Sequence, residues 1–92
     1  MIRSFRSAAL EMFYKKGISR KLPPEMIPRI EAILDRLNVM ESIQDMRLPH
    51  LRLHKLKGER KDEWAVTVKG NYRITFRFVD GNVEDVDFVD YH

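Results

Sequence analysis

The chain has 92 residues, of which 43% are hydrophobic and 34% charged, with a formal net charge of +3 and no cysteine. Such a composition is typical of an ordered globular protein, and the length predicts a single domain over residues 1–92 with one modest core. The lack of cysteine excludes disulfides and thiolate chemistry, and three scattered histidines argue against a structural zinc site. Because no apolar run approaches the roughly 18 residues of a membrane span, we expect a cytoplasmic protein. No cofactor is predicted.

The N-terminal segment predicts a short strand followed by a helix. Ile2–Phe5 is expected to form the strand. Ser7 suits a helix N-cap because its hydroxyl can accept a hydrogen bond from a backbone amide of the first turn. Gly17 suits the C-terminal stop because glycine readily adopts the left-handed conformation there. The sequence therefore predicts the first helix over Ala8–Lys16.

A second helix is predicted from Pro24 to about Met40, because apolar residues recur there at helical spacing. They are Met26, Ile27, Ile30, Ile33, Leu34 and Leu37. Pro28 conflicts with a regular helix because its ring would clash with the carbonyl oxygen four residues earlier. We therefore expect a distorted first turn or a start closer to Met26. A loop over Glu41–His50 is expected to lead into the strands.

From Leu51 onward the apolar residues alternate with polar ones, which predicts strands. Leu51 and Leu53 are expected on one face of the sheet, with Arg52 and His54 on the other. Later strands carry the apolar sets Trp64, Val66 and Val68, then Tyr72, Ile74, Phe76 and Phe78, then Val86 and Phe88. Turns are predicted at residues 69–71 and 80–82. The predicted fold class is α+β, with two N-terminal helices packed on one face of a small, mainly antiparallel, twisted sheet.

The strand register can be predicted by matching apolar residues across the sheet. Placing Val68 opposite Tyr72 and Phe76 opposite Val86 requires three-residue hairpin loops. The helices should then cover the apolar face and leave the other face open, concave and largely basic. That second face is expected to carry Arg52, His54, Thr67, Arg73, Thr75, Arg77, Asp85 and Asp87. In this register Arg77 lies opposite Asp85, which predicts a cross-strand ion pair.

Charged residues are segregated along the chain in a way that suggests an anionic ligand. Seven Lys, Arg or His residues lie between His50 and Lys61, whereas carboxylates gather in the final strand. Cleaving RNA without a metal requires a base, an acid and cations to offset charge on the phosphoryl oxygens. The chain supplies these groups in His54, Lys57, Arg73 and the tail Asp90-Tyr91-His92, where Tyr91 could also stack on a base.

Each of these residues also has a plainer interpretation. A histidine such as His54 is most often a polar residue on the solvated face of a strand, and Lys57 precedes a glycine in what could be an ordinary turn. His92 is the last residue printed, and chain ends usually fray. Trp64 is expected to face the same side of the sheet as Val66, which favours a place in the core over a role in stacking on a base. Composition and spacing alone therefore allow RNA cleavage without establishing it.

The chain resembles HigB-type toxins of the RelE/ParE-like superfamily, the plasmid maintenance system killer proteins. The segment preceding the central strands, Leu51–Gly58, carries the resemblance, as do Trp64–Val68 and Gly70–Phe78 in those strands. Asp85–His92 is similar to the family's closing motif, and Met1–Phe5 to its start. The resemblance runs essentially from end to end, and its motifs are specific in combination although each is weak alone.

The resemblance implies the toxin of a type II toxin–antitoxin system, a ribosome-dependent mRNA endonuclease that acts without a metal. It implies as partners a HigA-like helix-turn-helix antitoxin and the ribosomal decoding site with its mRNA. By position, the residues matching the family's catalytic set are His54, Asp90, Tyr91 and His92. Lys57 and Arg73 match phosphate-binding residues, and Arg52 matches less closely. Which of His54 and His92 is the base and which the acid stays open, as do the codon preference and the oligomeric state of the free toxin.

Two other classes of protein compete with this interpretation. A gyrase-poisoning toxin of the ParE branch would have the same fold, but it acts as a binding module and needs no paired histidines. A non-catalytic nucleic-acid-binding or antitoxin-like domain would need a helix with a basic recognition face, which the sequence lacks. The presence of both His54 and His92 therefore favours the endonuclease.

Overall fold

The computed structural model describes residues 1–91, so His92, a predicted catalytic residue, lies outside the described residues. Two α-helices, α1 and α2, precede a four-stranded antiparallel sheet whose strands are ordered β1-β2-β3-β4. The helices are α1, Ala8–Lys16, and α2, Ile27–Val39; the strands are β1, His54–Lys55, β2, Trp64–Lys69, β3, Tyr72–Val79, and β4, Asn82–Asp90. The predicted α+β class is confirmed at this level.

Helix α1 begins and ends where the sequence predicts. The Ser7 hydroxyl accepts a hydrogen bond from the Leu10 amide at 3.1 Å, and Gly17 ends the helix with φ 71°. The preceding segment is less regular than expected, because Ile2 and Phe5 form only isolated parallel bridges to Val83 and Val86 of β4. The predicted first strand is therefore reduced to two isolated bridges along the outer edge of β4.

The predicted distortion at the start of the second helix is confirmed. Pro24–Met26 forms a 3-10 turn, and regular α-helix begins at Ile27. Pro28 consequently lies in the first turn of α2, where its missing N–H would lack an intrahelical partner in any case. The next segment, predicted as a loop, holds two further 3-10 turns, Ile43–Met46 and Pro49–Leu51.

One cluster of buried side chains joins the helices to the sheet. The helices contribute Leu10, Ile30, Ile33, Leu34 and Leu37, and the strands contribute Val66, Val68, Ile74, Phe76, Val83 and Val86. Trp64 packs against this cluster while partly exposed, as its parity with Val66 predicts. The apolar positions of the helical and alternating patterns therefore meet in one core.

The strand predicted from Leu51 onward is wrong at its start. Leu51 ends a 3-10 turn, and Arg52 adopts a left-handed conformation with φ 48°, which interrupts any alternation. Leu51 is nevertheless buried in the core, as expected. Strand β1 is therefore confined to His54–Lys55, and the predicted placement of Arg52 on the same strand face as His54 is not realised.

The predicted three-residue hairpin loops are also wrong, although the register in the body of the sheet is the expected one. Val66 pairs with Ile74, and Thr75 with Asp87. Nearer the turns the register shifts by one residue at two bulges, so both loops contain two residues, Gly70-Asn71 and Asp80-Gly81. Asp80 and Gly81 both have positive φ, the conformation that favours tight hairpins.

Candidate active site

His54 begins a row of residues that crosses one face of the sheet. It pairs with Ala65, Ala65 pairs with Thr75, and Thr75 pairs with Asp87. Because directly paired residues on neighbouring strands project to the same side, these four side chains belong to one face, opposite the core. We call this surface the His54 face.

The His54 ring is exposed, and its Nδ1 lies 3.1 Å from the carbonyl oxygen of Arg52. A carbonyl oxygen only accepts hydrogen bonds, so this contact requires a proton on Nδ1. In the neutral ring Nε2 then carries the lone pair and can accept a proton. The left-handed turn at Arg52 thus orients the imidazole, which is a positional role for Arg52 that strand alternation does not predict.

Arg73 lies in the next row of the same face. It pairs with Thr67 on β2 and with Val89 on β4. Its Nη1 donates to the carbonyl oxygens of Gly70 at 2.6 Å and Tyr72 at 3.1 Å, which anchors the guanidinium beside the β2–β3 turn. Arg73 therefore shares the face of His54 but stands two strands away from it and one row nearer the β2–β3 turn.

The structure assigns Asp90 and Tyr91 to opposite faces of the sheet. Asp90 pairs with Tyr72, whose ring stacks on Phe88 at 5.3 Å on the core side. Alternation continued one residue beyond β4 places Tyr91 on the His54 face, and the residue is 38% exposed. The Tyr91 amide donates to the carbonyl oxygen of Asn71 at 2.8 Å, so the end of the chain is tied to the β2–β3 turn.

Lys57 lies in the loop that connects β1 to β2. It immediately precedes a 3-10 turn, Gly58–Arg60, and its side chain is exposed. The Leu56 amide donates to the carbonyl oxygen of Glu63 at 2.9 Å and closes the loop across its base. We call residues 56–63 the covering loop, because Arg60 within it reaches back to Thr75 of the sheet.

Sequence reasoning missed the residues that close the centre of the His54 face. Arg60 donates from Nε to Glu63 Oε2 at 2.8 Å and from Nη2 to Glu63 Oε1 at 2.9 Å. The same Nη2 donates to Thr75 Oγ1 at 3.2 Å. Glu63 is only 5% exposed and Thr75 is fully buried. Arg60 was counted only as one basic residue among many, and the spacing of three between it and Glu63 is the signal that could have indicated the pair.

The prediction of an open and largely basic face therefore needs correction. Arg6 Nη1 lies 3.7 Å from Glu63, and Arg77 Nη1 lies 3.6 Å from Asp85 and 3.7 Å from Glu84. The predicted ion pair of Arg77 with Asp85 is confirmed, although Glu84 is the residue directly opposite and Asp85 falls in the bulge. The centre of the face is thus partly covered and mixed in charge, because acidic side chains of β4 and the covering loop balance its arginines.

Hydrogen bonding between Arg60 and Glu63 controls the ionisation of both side chains. The guanidinium of Arg60 lowers the pKa of Glu63, although burial acts in the opposite direction, and the nearby charges of Arg6 and Arg77 lower it further. Conversely, the hydrogen bond from Glu63 raises the pKa of Arg60, and the nearby Tyr91 and Asp87 contribute to this increase. Both residues are therefore charged at neutral pH.

We predict that Glu63 contributes to the acid lability of the fold. Because its pKa is lower in the folded chain, its stabilising effect is present above the unfolded-state value of 4.5 and is lost as pH falls through the folded value. Glu63→Gln should therefore lower the free energy of unfolding at pH 7 and reduce its dependence on pH below 4.5. Urea unfolding of both proteins from pH 7 to pH 3 measures this.

Glu11→Gln is the matched control, because Glu11 forms an exposed pair with Lys15 at 2.7 Å and exposed pairs contribute little. An unchanged pH dependence in Glu63→Gln would contradict the assignment of this carboxylate to the acid transition.

A groove of about 450 Å³ includes Thr67 of the His54 face in its lining. It runs between α2 and the chain around β2, and its lining includes Arg29, Arg36, Leu48 and His50. None of the predicted site residues among residues 1–91 lines it, so this groove and the candidate chemistry do not coincide. Residues 1–91 contain no cluster of three metal-ligating side chains and no helix long and apolar enough to cross a membrane.

The fold is one already seen in bacterial toxins. A chain in the structure of the YoeB–YefM complex from Staphylococcus aureus matches with a TM-score of 0.63, covering 100% of this chain and 98% of that one at 14% identity. At that identity the likeness establishes the fold alone. The protein is therefore a small α+β domain with the architecture found in that toxin–antitoxin complex.

Sequence comparison identifies the family. The model of the HigB-like toxins, described as the RelE-like toxin of type II toxin–antitoxin system HigB, matches residues 3–92. Endoribonuclease HigB of Proteus vulgaris is 34% identical over 92 residues, with both chains fully covered. Toxin HigB-1 of Vibrio cholerae is 31% identical over 85 residues, covering 88% of this chain and 87% of the relative. The chain belongs to the HigB family of RelE-like toxins, as the sequence motifs indicate.

Proposed function

We propose that this chain is a metal-independent endoribonuclease that cleaves mRNA on the ribosome and thereby inhibits translation. The observation that carries the proposal is the oriented imidazole of His54, which shares one face of the sheet with the anchored guanidinium of Arg73, in a chain similar along its whole length to an endoribonuclease. We further propose that residues 1–92 form a single toxin domain that works in the cytoplasm.

In the proposed reaction, a base removes the proton of a ribose 2′-hydroxyl, and the oxygen attacks the adjacent phosphorus. The bond from phosphorus to the 5′-oxygen breaks, and an acid protonates the leaving oxygen. The products are a 2′,3′-cyclic phosphate and a 5′-hydroxyl end. His54 suits the base because its Nε2 can accept a proton, and we propose the other histidine of the predicted set, His92, as the acid.

Cations and an aromatic ring complete the proposed site. Arg73 and Lys57 offset the charge that develops on the phosphoryl oxygens, and Arg52 supports them from the neighbouring turn. Tyr91 lies on the same face as His54 and offers a ring on which a base can stack. Asp90, which alternation places on the other face, is proposed to position the closing segment that bears Tyr91 and His92.

The proposed partners follow from the family. Toxins of type II systems are held in check by a protein antitoxin, and the S. aureus structure that shares this fold is a complex with YefM. For this chain we propose a HigA-like helix-turn-helix antitoxin, which forms a hetero-oligomer with the toxin. We propose that the toxin is a monomer when it is free of the antitoxin. Arg73 and Lys57 are the predicted phosphate-binding residues that we expect to meet the RNA in the ribosomal decoding site.

Mapping mRNA 5′ ends during the first minutes of tightly controlled expression tests this function. Wild-type toxin should generate 5′-hydroxyl ends within reading frames, at codon-registered positions, whereas His92→Ala should generate none. Intact transcripts together with growth arrest and DNA-damage signalling would instead support the gyrase-poisoning alternative, in which the histidines are ordinary surface residues.

A further inference from the structure

Arg60 presents an unshared edge of its guanidinium above the centre of the His54 face. Its Nε and Nη2 are occupied by Glu63 and Thr75. Within residues 1–91, Nη1 makes no hydrogen bond, so its two N–H groups remain available. Side-chain exposure is 34% for Arg60 and 7% for Glu63, so the carboxylate is enclosed while the guanidinium reaches the surface.

The position of this guanidinium is central to the candidate site. Thr75 occupies the same row as His54, separated from it only by Ala65. Asp87 completes that row, and it and Tyr91 lie close enough to Arg60 to affect its ionisation. Arg60 is therefore held between the strand that bears His54 and the chain end that bears Tyr91.

Burial of Glu63 and Thr75 indicates a built support for Arg60. A carboxylate that binds both Nε and Nη2 fixes the plane of the guanidinium, and the threonine hydroxyl fixes its rotation. Such pre-positioning lowers the entropic cost of binding a further anion. A guanidinium can engage a carboxylate along one edge and a phosphate along another, because its five N–H groups point in fixed directions.

We propose that Arg60 is a substrate-contacting residue that binds a phosphoryl oxygen of the RNA backbone through Nη1, and that Glu63 and Thr75 are positioning residues that hold it there. This inference rests on the proposed endonuclease function and adds a third cation to Arg73 and Lys57. No bond forms or breaks at Arg60, which stays protonated and contributes only hydrogen bonds and charge.

Single-turnover cleavage of mRNA on programmed ribosomes tests the proposal. Arg60→Ala should reduce the cleavage rate at saturating toxin about 100-fold, as expected when one preorganised donor to a developing charge is removed. Arg60→Lys keeps the charge but lacks the two-edged geometry and should recover only part of the rate. Arg6→Ala is the matched control, because Arg6 also contacts Glu63 but is about half exposed and should leave the rate close to that of wild type.

A double variant separates substrate binding from a purely structural role. Arg60→Ala alone leaves Glu63 buried without its main partner, which destabilises the fold, whereas Arg60→Ala combined with Glu63→Ala removes both partners and should restore stability. If Arg60 only clamps the covering loop, cleavage will recover together with stability. If it binds RNA, the double variant will be stable and still about 100-fold slow.

The salt dependence of the half-saturating toxin concentration provides a readout that a structural role would not change. The logarithm of this concentration is plotted against the logarithm of salt concentration. Loss of one phosphate contact to single-stranded RNA should reduce the slope of that plot by about 0.7 in Arg60→Ala and leave it unchanged in Arg6→Ala. Recovery of cleavage in the double variant, or an unchanged slope in Arg60→Ala, would overturn this inference alone. Absence of cleavage by wild-type toxin would overturn the function on which it rests.

Discussion

His54→Ala should lower the rate of mRNA cleavage between about 100-fold and 10,000-fold, the range expected when a general acid or base is lost. The side chain is exposed and its only hydrogen bond within residues 1–91 is to the carbonyl oxygen of its near neighbour Arg52. Its removal should therefore leave the fold intact. Single-turnover cleavage of programmed ribosomes measures the chemical effect, and thermal unfolding checks the fold.

His50→Ala is the matched control for that experiment, because His50 is also exposed but lines the groove beside α2. It should cleave at the wild-type rate. His54→Gln distinguishes a chemical from a polar role, since glutamine can hydrogen-bond but cannot take up a proton at neutral pH. Full growth arrest by His54→Ala would show that the proton is transferred elsewhere.

Phe76→Ala should lower the free energy of unfolding by about 3–5 kcal/mol, the usual cost of emptying a fully enclosed aromatic site. Phe76 is completely buried in β3 and belongs to the cluster that joins helices and strands. A domain of this size is stabilised by only about 5–15 kcal/mol in total, so the variant should lose a large share of its stability. Urea unfolding followed by circular dichroism measures the loss.

Phe78→Ala supplies the comparison within the same strand. Phe78 is only partly buried against the core, so its truncation should cost clearly less than that of Phe76. Equal losses in the two variants would show that the sheet is not organised around Phe76, and would place the main core elsewhere.

The parts of the fold that depend on local patterns were predicted well. Ser7 and Gly17 define α1 through capping chemistry that acts over a single turn. The 3-10 turn before α2 follows from the fixed geometry of proline at position 28. The body of the β-sheet register was also predicted, because shifting a strand by one residue would turn its apolar side chains away from the core.

The errors occur where a single backbone conformation departs from the pattern. Arg52 and Asp85 both adopt positive φ, which is uncommon for residues other than glycine and has no signature in an apolar period. The first shortens β1, and the second lies in the bulge that replaces a longer hairpin loop. Alternation describes regular strands, so it could not locate either interruption.

The candidate site was predicted in part. His54, Arg73 and Tyr91 share the face on which sequence reasoning placed the chemistry. Arg60 was not singled out, because its role depends on the covering loop folding back onto Thr75, a contact across 15 positions that no local spacing encodes. The assignment of His92 remains a prediction from family resemblance.

The pairing of the first residues with the last strand has a consequence for biosynthesis. Hydrogen bonds join Arg3 and Arg6 to Val83 and Val86, and the Asp85 amide donates to the hydroxyl of Ser4 across 81 positions. Contacts between such distant residues form late, because a long loop must close before they stabilise the chain. Because β4 is translated after the other elements, the first residues lack their partner strand until residues 82–90 have been made. A nascent toxin therefore cannot finish folding while its closing strand is still inside the ribosome that makes it.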